Sequence, residues 1–206
     1  MNGFERRRQQ KRESIKQSAV QLFLQNGVEK VTIQEIAAEA KVSYATIFKY
    51  FGSKQDLVVE VMKWLYEQAY HELESIIKSE KPYLERVQEM MFHKSRLYEN
   101  VDLDLFKHAN SYNPQEIARI AGVYEEKKKR LYYEFFHEGK QQGIIHPEVP
   151  VDAIILHRNA LRALILADPE IMTEFKYNPD LLKGYMRILL FGVTWKEELP
   201  DITINL

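Results

Sequence analysis

Within residues 41–57, KVSYATIFKYFGSKQDL, the chain places Ser43, Tyr44, Ala45, Thr46, Lys49 and Tyr50 at outward positions of one short helix, with Lys54 just beyond it. A hydrophobic core has no use for this set. Hydroxyls and an ammonium beside small and aromatic side chains suit contacts to base edges and phosphate oxygens, as made by a helix laid in a DNA major groove. The third position of this helix is Thr46 rather than an acid, so its amide end is expected to be uncapped and open to negative charge. Thr32, Tyr50 and Lys54 stand where a scaffold could hold phosphates on either side and so set register.

Other chemistry finds less support. Glu134 and His137 form a Glu-x-x-His pair, but a di-iron bundle needs two such pairs and two further glutamates. The six histidines show no metal-ligand spacing, and neither a glycine-rich phosphate loop nor a nucleophile elbow is present. With no cysteine in the sequence, disulfides and thiolate catalysis are excluded. No enzyme activity, cofactor or metal is expected.

The elements that must position the 41–57 set are helical. Sustained alternation and hairpin dipeptides are missing from the 206 residues, which argues against a sheet. Ile15, Ala19, Leu22 and Phe23 form one apolar stripe of a first helix. Gly27 supplies its left-handed stop, and Val28 is placed to pack back on the last turn. Thr32-Ile33-Gln34-Glu35 reads as a capping box opening a second helix. Ser43 is a good N-cap for the third, which runs to about Phe51 and stops at Gly52. Ser53, with Asp56 three residues on, starts a fourth helix reaching about Lys78. Ile36, Ala37, Ala40, Val42, Ile47 and Phe51 face inward and lock helices two and three into a helix-turn-helix. Beyond Pro82 the helices are longer and more apolar, with breaks near Asn100, Asn113-Pro114, residues 143–150, Asp168-Pro169 and Asn178-Pro179. The last two pairs each put a cap residue before a proline at the first helical position.

Charge separates the same two regions. Of 29 basic and 30 acidic residues, ten and six lie within residues 1–56, which leaves the remainder acidic. A basic head on an acidic body suggests that the head meets a polyanion. The basic run Arg6-Arg7-Arg8-Gln9-Gln10-Lys11-Arg12 reads either as an arm reaching DNA or as a solubilising tail. Apolar residues at 45% supply a real core, and no run is long enough to span a membrane. The charged N-terminus argues against a secretory signal, so the cytoplasm is the expected location.

The residues Thr32-Ile33-Gln34-Glu35-Ile36-Ala37, Ala40-Lys41-Val42-Ser43 and Thr46-Ile47-Phe48-Lys49-Tyr50-Phe51-Gly52-Ser53-Lys54 together resemble the TetR family of bacterial transcription regulators over about residues 12–60. The resemblance implies an all-α homodimer: a three-helix helix-turn-helix head, joined by a long helix to a divergent effector-binding and dimerisation domain. Residues 1–11 would be a basic arm, 12–58 the DNA-binding domain and 59–206 the C-terminal domain. Ser43, Tyr44, Ala45 and Thr46 would lie at base-reading positions, and Thr32, Thr46, Tyr50 and Lys54 at phosphate-contacting ones. Lys41 and Ala45 stand where family members often have glycine, and Phe48 replaces a commoner tyrosine. A left-handed Lys41 would cost about 1 kcal/mol.

Two seams, the first rich in small residues, mark the body. Ala153, Leu156, Ala160, Ala163 and Ala167 repeat at spacings of three and four, as do Leu181, Tyr185, Ile188, Gly192 and Trp195. By the resemblance, seams on the last two helices suit a four-helix dimer interface, and a dimer is needed to meet two operator half-sites. Between the head and the seams lies an aromatic-rich zone that includes Phe92, Tyr98, Phe106, His108, Tyr112, Tyr124, Tyr132 and Phe135. It is expected either to line a pocket for a small apolar or aromatic effector or to fill an ordinary core. The expectation is a repressor that leaves a palindromic double-stranded operator when the effector binds. The alternatives are a DNA-binding architectural or cell-cycle factor of this fold without an effector, and an activator acting through a protein partner.

Overall fold

The structure, a computed structural model, describes residues 3–92, 109, 111–167 and 170–191. Every regular element among them is a helix: α1 (Gly3–Asn26), α2 (Ile33–Glu39), α3 (Tyr44–Phe51), α4 (Lys54–Ile77), α5 (Tyr83–Phe92), α6 (Pro114–Gln141), α7 (Val151–Ala167), α8 (Glu170–Tyr177) and α9 (Pro179–Phe191). The chain forms two compact units, residues 1–72 with 94–127 and residues 73–93 with 128–206. None of the described helices is long and apolar enough to cross a membrane.

Local signals set the helix ends of the first unit. Gly27 (φ 80°) donates its N–H to the Phe23 carbonyl and closes α1, and Val28 is buried behind it. The Thr32–Glu35 capping box is fully formed at α2. Ser53 Oγ accepts from the Asp56 N–H at 3.1 Å and donates to its carboxylate at 2.6 Å, so α4 begins at Lys54. Gly52 (φ 82°) ends α3 by donating to the Phe48 carbonyl.

One apolar core binds these helices. Ile15, Ala19, Val20 and Phe23 of α1 meet Ile36 and Ala37 of α2, Ile47 and Phe51 of α3, and Leu57, Val61 and Leu65 of α4. Ala40 and Val42 are only partly buried against this cluster. Ala109 and Ile117, far along the chain, are buried in it as well. Residues 3–11 are the first turns of α1, helical rather than an extended arm.

The second unit has its own buried centre. Arg86, on α5, donates Nη1–H bonds to Glu138 (3.0 Å) and to the Ile77 carbonyl (2.7 Å), and its Nη2 bonds the same carboxylate. Its guanidinium also lies over the Tyr83 and Phe135 rings. Tyr83 stacks on Phe135 at 4.6 Å, and Phe135 meets Phe136 at 5.5 Å. A Cβ at Gly139 would overlap the Tyr83 hydroxyl and Cζ and stand 2.9 Å from Ile145 Cδ1, so glycine alone admits that ring. Burial pushes the Tyr83 phenol up; the neighbouring Glu138 adds to the shift and Arg86 opposes it. Asn178 Oδ1 accepts from the Leu181 N–H at 3.1 Å, capping α9 behind Pro179. The pair Asp168-Pro169 lies outside the described residues.

Candidate nucleic-acid interface

The turn between α2 and α3 is built around Lys41, at φ 54°. This left-handed residue lets the Val42 N–H donate to the Ala37 carbonyl at 2.9 Å, which folds the chain back before α3. α3 then buries Ile47 and Phe51 and leaves Ser43, Tyr44, Ala45, Phe48 and Lys49 exposed, with Thr46 and Tyr50 partly so. The sequence-predicted face is therefore outward, except that Tyr50 also packs against the head core.

The end of α3 bears out the expected Ser43 N-cap and corrects the expectation of an uncapped amide end. It is capped: Ser43 Oγ accepts the Thr46 N–H at 3.2 Å and lies 2.8 Å from Thr46 Oγ1. The reason is that serine is itself the acceptor, so an acid at the third position is not required. The two hydroxyls share one hydrogen bond and therefore leave one proton directed elsewhere. No acid stands in the first turn, so the helix end keeps its positive character.

Thr32 is committed more fully. Glu35 accepts from both its N–H (2.7 Å) and its hydroxyl (2.8 Å), so both donors of Thr32 turn inward. Those bonds, the backbone one foremost, hold the Glu35 carboxyl below the usual glutamate range, and the Lys54 ammonium adds to this. Lys54 also stands 5.5 Å from the centroid of the Tyr112 ring. Tyr44 and Phe48, one turn apart, bring their rings to 4.7 Å at 46° and form an exposed aromatic pair on the same helix. Phe48 is outside the sequence-predicted set, where its missing hydroxyl counts against it; its ring is the signal that would have included it.

Lys49 and Tyr50 point to one side of this face. With Phe4, Arg7, Arg8, Gln10 and Lys11 of α1 they line a groove. In the sequence these α1 residues read as an arm or a tail, yet Phe4, Arg7, Arg8 and Lys11 follow helical spacing of three, four and seven, which is the signal that marks them as one helix face.

The four aromatic-zone residues with described side chains fall two in each unit. Tyr112 and Tyr124 belong to the first unit, where Tyr124 stacks with Tyr66 at 6.1 Å and carries Lys127 over its ring at 4.8 Å. Tyr132 and Phe135 belong to the second, where Phe135 is only 1% exposed and Tyr132 stacks on Phe136 at 6.1 Å. The Phe92 side chain, Tyr98, Phe106 and His108 lie outside the described residues. Of the seams, Ala153, Leu156, Ala160, Ala163, Leu181 and Ile188 are exposed, with Leu156 at 71% and Ile188 at 75%. Tyr185 is partly buried against Phe175, and the Ala167 side chain, Gly192 and Trp195 lie outside the described residues.

Residues 15–61 match the family described as bacterial regulatory proteins, tetR family. The chain is 33% identical over 61 residues to the uncharacterized HTH-type transcriptional regulator YuxN of Bacillus subtilis, a match covering 30% of this chain and 21% of that protein. It is 40% identical over 55 residues to HbdR, an HTH-type transcriptional regulator of Aromatoleum, covering 27% and 24%. Each match thus spans about a quarter or less of the relative's length. A longer, weaker likeness, 20% over 149 residues, joins it to the HTH-type transcriptional repressor KstR2 of Mycobacterium tuberculosis, covering 70% of this chain and 74% of that one. Its fold is that of a TetR-family regulator from Cytophaga hutchinsonii, with TM-score 0.69 at 16% identity over 90% and 96% of the two chains. The match over residues 15–61 thus falls on the segment that holds the capped helix α3 and the left-handed turn at Lys41, and there the chain is similar to the tetR family of bacterial regulatory proteins.

Proposed function

We propose that this chain is a homodimeric, cytoplasmic repressor that reads a palindromic operator with α3 and is released by a small apolar or aromatic effector. Residues 12–58 form its DNA-binding domain and residues 59–206 carry effector binding and dimerisation. The observation that carries the reading is the outward set on α3: Ser43, Tyr44, Ala45 and Thr46 are accessible while Ile47 and Phe51 anchor the helix. In this reading Ser43, Tyr44, Ala45 and Thr46 meet base edges, with the Ala45 methyl suited to a thymine methyl. Thr32, Thr46, Tyr50 and Lys54 set register on the backbone, and Lys49 stands on the same face, open to phosphate or base. Thr32 takes part by turning its hydroxyl from Glu35 to a phosphate.

The exposed apolar seams of α7 and α9 support a dimer, because large apolar side chains such as Leu156 and Ile188 gain by being covered. The name of the KstR2 relative favours repression over activation. The effector pocket is assigned to the aromatic zone and would take a ligand with little charge. One observation favours a second reading, a regulator of this fold with no small effector: Phe135 and Tyr132 are stacked as core rather than left lining a space.

Selection from a random-sequence duplex pool by the full-length protein tests the function. Enrichment of a palindromic sequence is expected. Tyr44→Ala should weaken binding to the enriched duplex about tenfold or more, in line with 1–3 kcal/mol for a base contact, with an unchanged melting temperature. Equal affinity of the variant for that duplex would overturn the assignment.

A further inference from the structure

The basic run at the start of α1 divides by partner. Arg12 forms an ion pair with Glu60 at 3.1 Å and lies 5.2 Å over the Phe51 ring, so it fastens α1 to the head. Lys16 pairs with Glu13 at 2.8 Å. Arg7, Arg8 and Lys11 instead stand exposed and make no ion pair or hydrogen bond with another described residue. Lys49, on α3, is in the same condition. These four cations line one groove with Phe4, Gln10 and Tyr50, and no acid lines it with them among the described residues.

Helix stability does not explain the arrangement. Positive charge in the first turns of a helix opposes its macrodipole, and Glu5 is the one acid of that turn. Nor does the arrangement belong to a flexible tail. Phe4, Arg7, Arg8 and Lys11 recur on one face of a continuous helix whose later turns are buried through Ile15, Ala19 and Phe23. The cations are thus held at fixed positions beside α3. The rise from Thr46 to Lys49 is about 4.5 Å at 1.5 Å per residue, which puts the groove next to the outward end of the same helix.

We infer that the groove between α1 and α3 seats the phosphate backbone of the duplex flanking the bases read by α3, with Arg7, Arg8, Lys11 and Lys49 as its phosphate contacts. This rests on the reading of the head as a DNA-binding unit. It assigns Lys49 to backbone rather than base, and it turns the N-terminal turns of α1 into a rigid second wall. An acidic protein would also suit four cations. Continuity with the α3 face favours nucleic acid, because Lys49 and Tyr50 belong to both.

The experiment uses the full-length protein and the duplex it enriches from a random pool, with affinity measured between about 50 and 200 mM salt. Each phosphate that a variant leaves without its cation lowers the slope of log affinity against log salt by about 0.9. The triple variant Arg7→Gln, Arg8→Gln, Lys11→Gln is expected to lower it by about 2 to 3, and Lys49→Gln by about 1, with the same preferred sequence. Arg7→Lys with Arg8→Lys should keep the slope. Melting by circular dichroism checks that each variant folds. An unchanged slope in the triple variant, while Tyr44→Ala abolishes selective binding, overturns the groove and leaves the head as a DNA reader. Loss of selectivity in neither variant removes both readings. A changed base preference in Lys49→Gln overturns its place on the backbone. Binding of wild-type protein to polyglutamate as tightly as to the duplex at the same salt overturns the choice of occupant.

Discussion

The Lys54 ammonium lies 5.5 Å from the centroid of the Tyr112 ring, so a residue at the start of α4 is held by one that precedes α6. Ala109 and Ile117, on either side of Tyr112, are buried in the head core. The segment is therefore part of the unit that carries α3, although it is distant in sequence. Tyr112→Phe keeps the ring and should hold stability within about 0.3 kcal/mol. Tyr112→Ala removes a cation–π interaction of about 0.5–1 kcal/mol together with partly buried ring area, and should destabilise by about 1–2 kcal/mol. Urea unfolding of the two variants separates these outcomes, and an equal loss in both would show that the hydroxyl rather than the ring holds the segment.

Lys41 at φ 54° carries strain that glycine would not. Lys41→Gly should stabilise the protein by about 0.5 kcal/mol, since relief of about 1 kcal/mol is partly offset by the freer unfolded chain. Lys41→Val should destabilise it by more than about 1 kcal/mol, because a branched side chain tolerates the left-handed region poorly. Thermal melts of both variants decide this, and a less stable glycine variant would contradict the strain.

Gly139 sits where the Tyr83 ring needs room. Gly139→Ala should cost about 1–3 kcal/mol by overpacking, even though alanine favours a helix by about 1 kcal/mol. Tyr83→Leu removes the clashing ring, so the double variant should lose less than the sum of the two single losses. Additive losses would mean that the two residues do not compete for the same space.

Leu156 and Ile188 are the most exposed large side chains of the two seams among the described residues. Leu156→Glu with Ile188→Glu should convert a dimer at micromolar concentration to a monomer by light scattering, with helical content unchanged. A mass unaffected by both charges would remove these seams from the interface.

Much of the head was legible because its signals are local and redundant. Thr32 with Glu35, Ser53 with Asp56, and Gly27 and Gly52 each name a helix end through a hydrogen bond or a φ that few residues satisfy. The inward set of α3 followed from its period, and Ile47 and Phe51 are buried. The start of α1 was not legible. Arginine, lysine and glutamine suit a helix or a tail equally, and tertiary contacts such as Arg12 with Glu60 settle the matter. The aromatic zone was ambiguous for a similar reason. Spacing on one helix does not say whether a ring stacks on a neighbour, as Phe135 does on Tyr83, or faces a ligand.

The unbroken course of α1 has a consequence for phase. No glycine or proline interrupts residues 4–26, so the basic face and the buried face turn together on one axis. A single residue inserted between Arg12 and Ile15 would leave composition and charge almost untouched, yet rotate Arg7, Arg8 and Lys11 by about 100° relative to the core. The angular position of those charges is thus fixed by where Ile15, Ala19 and Phe23 are buried, and sequence length between the two faces acts as the dial that sets it.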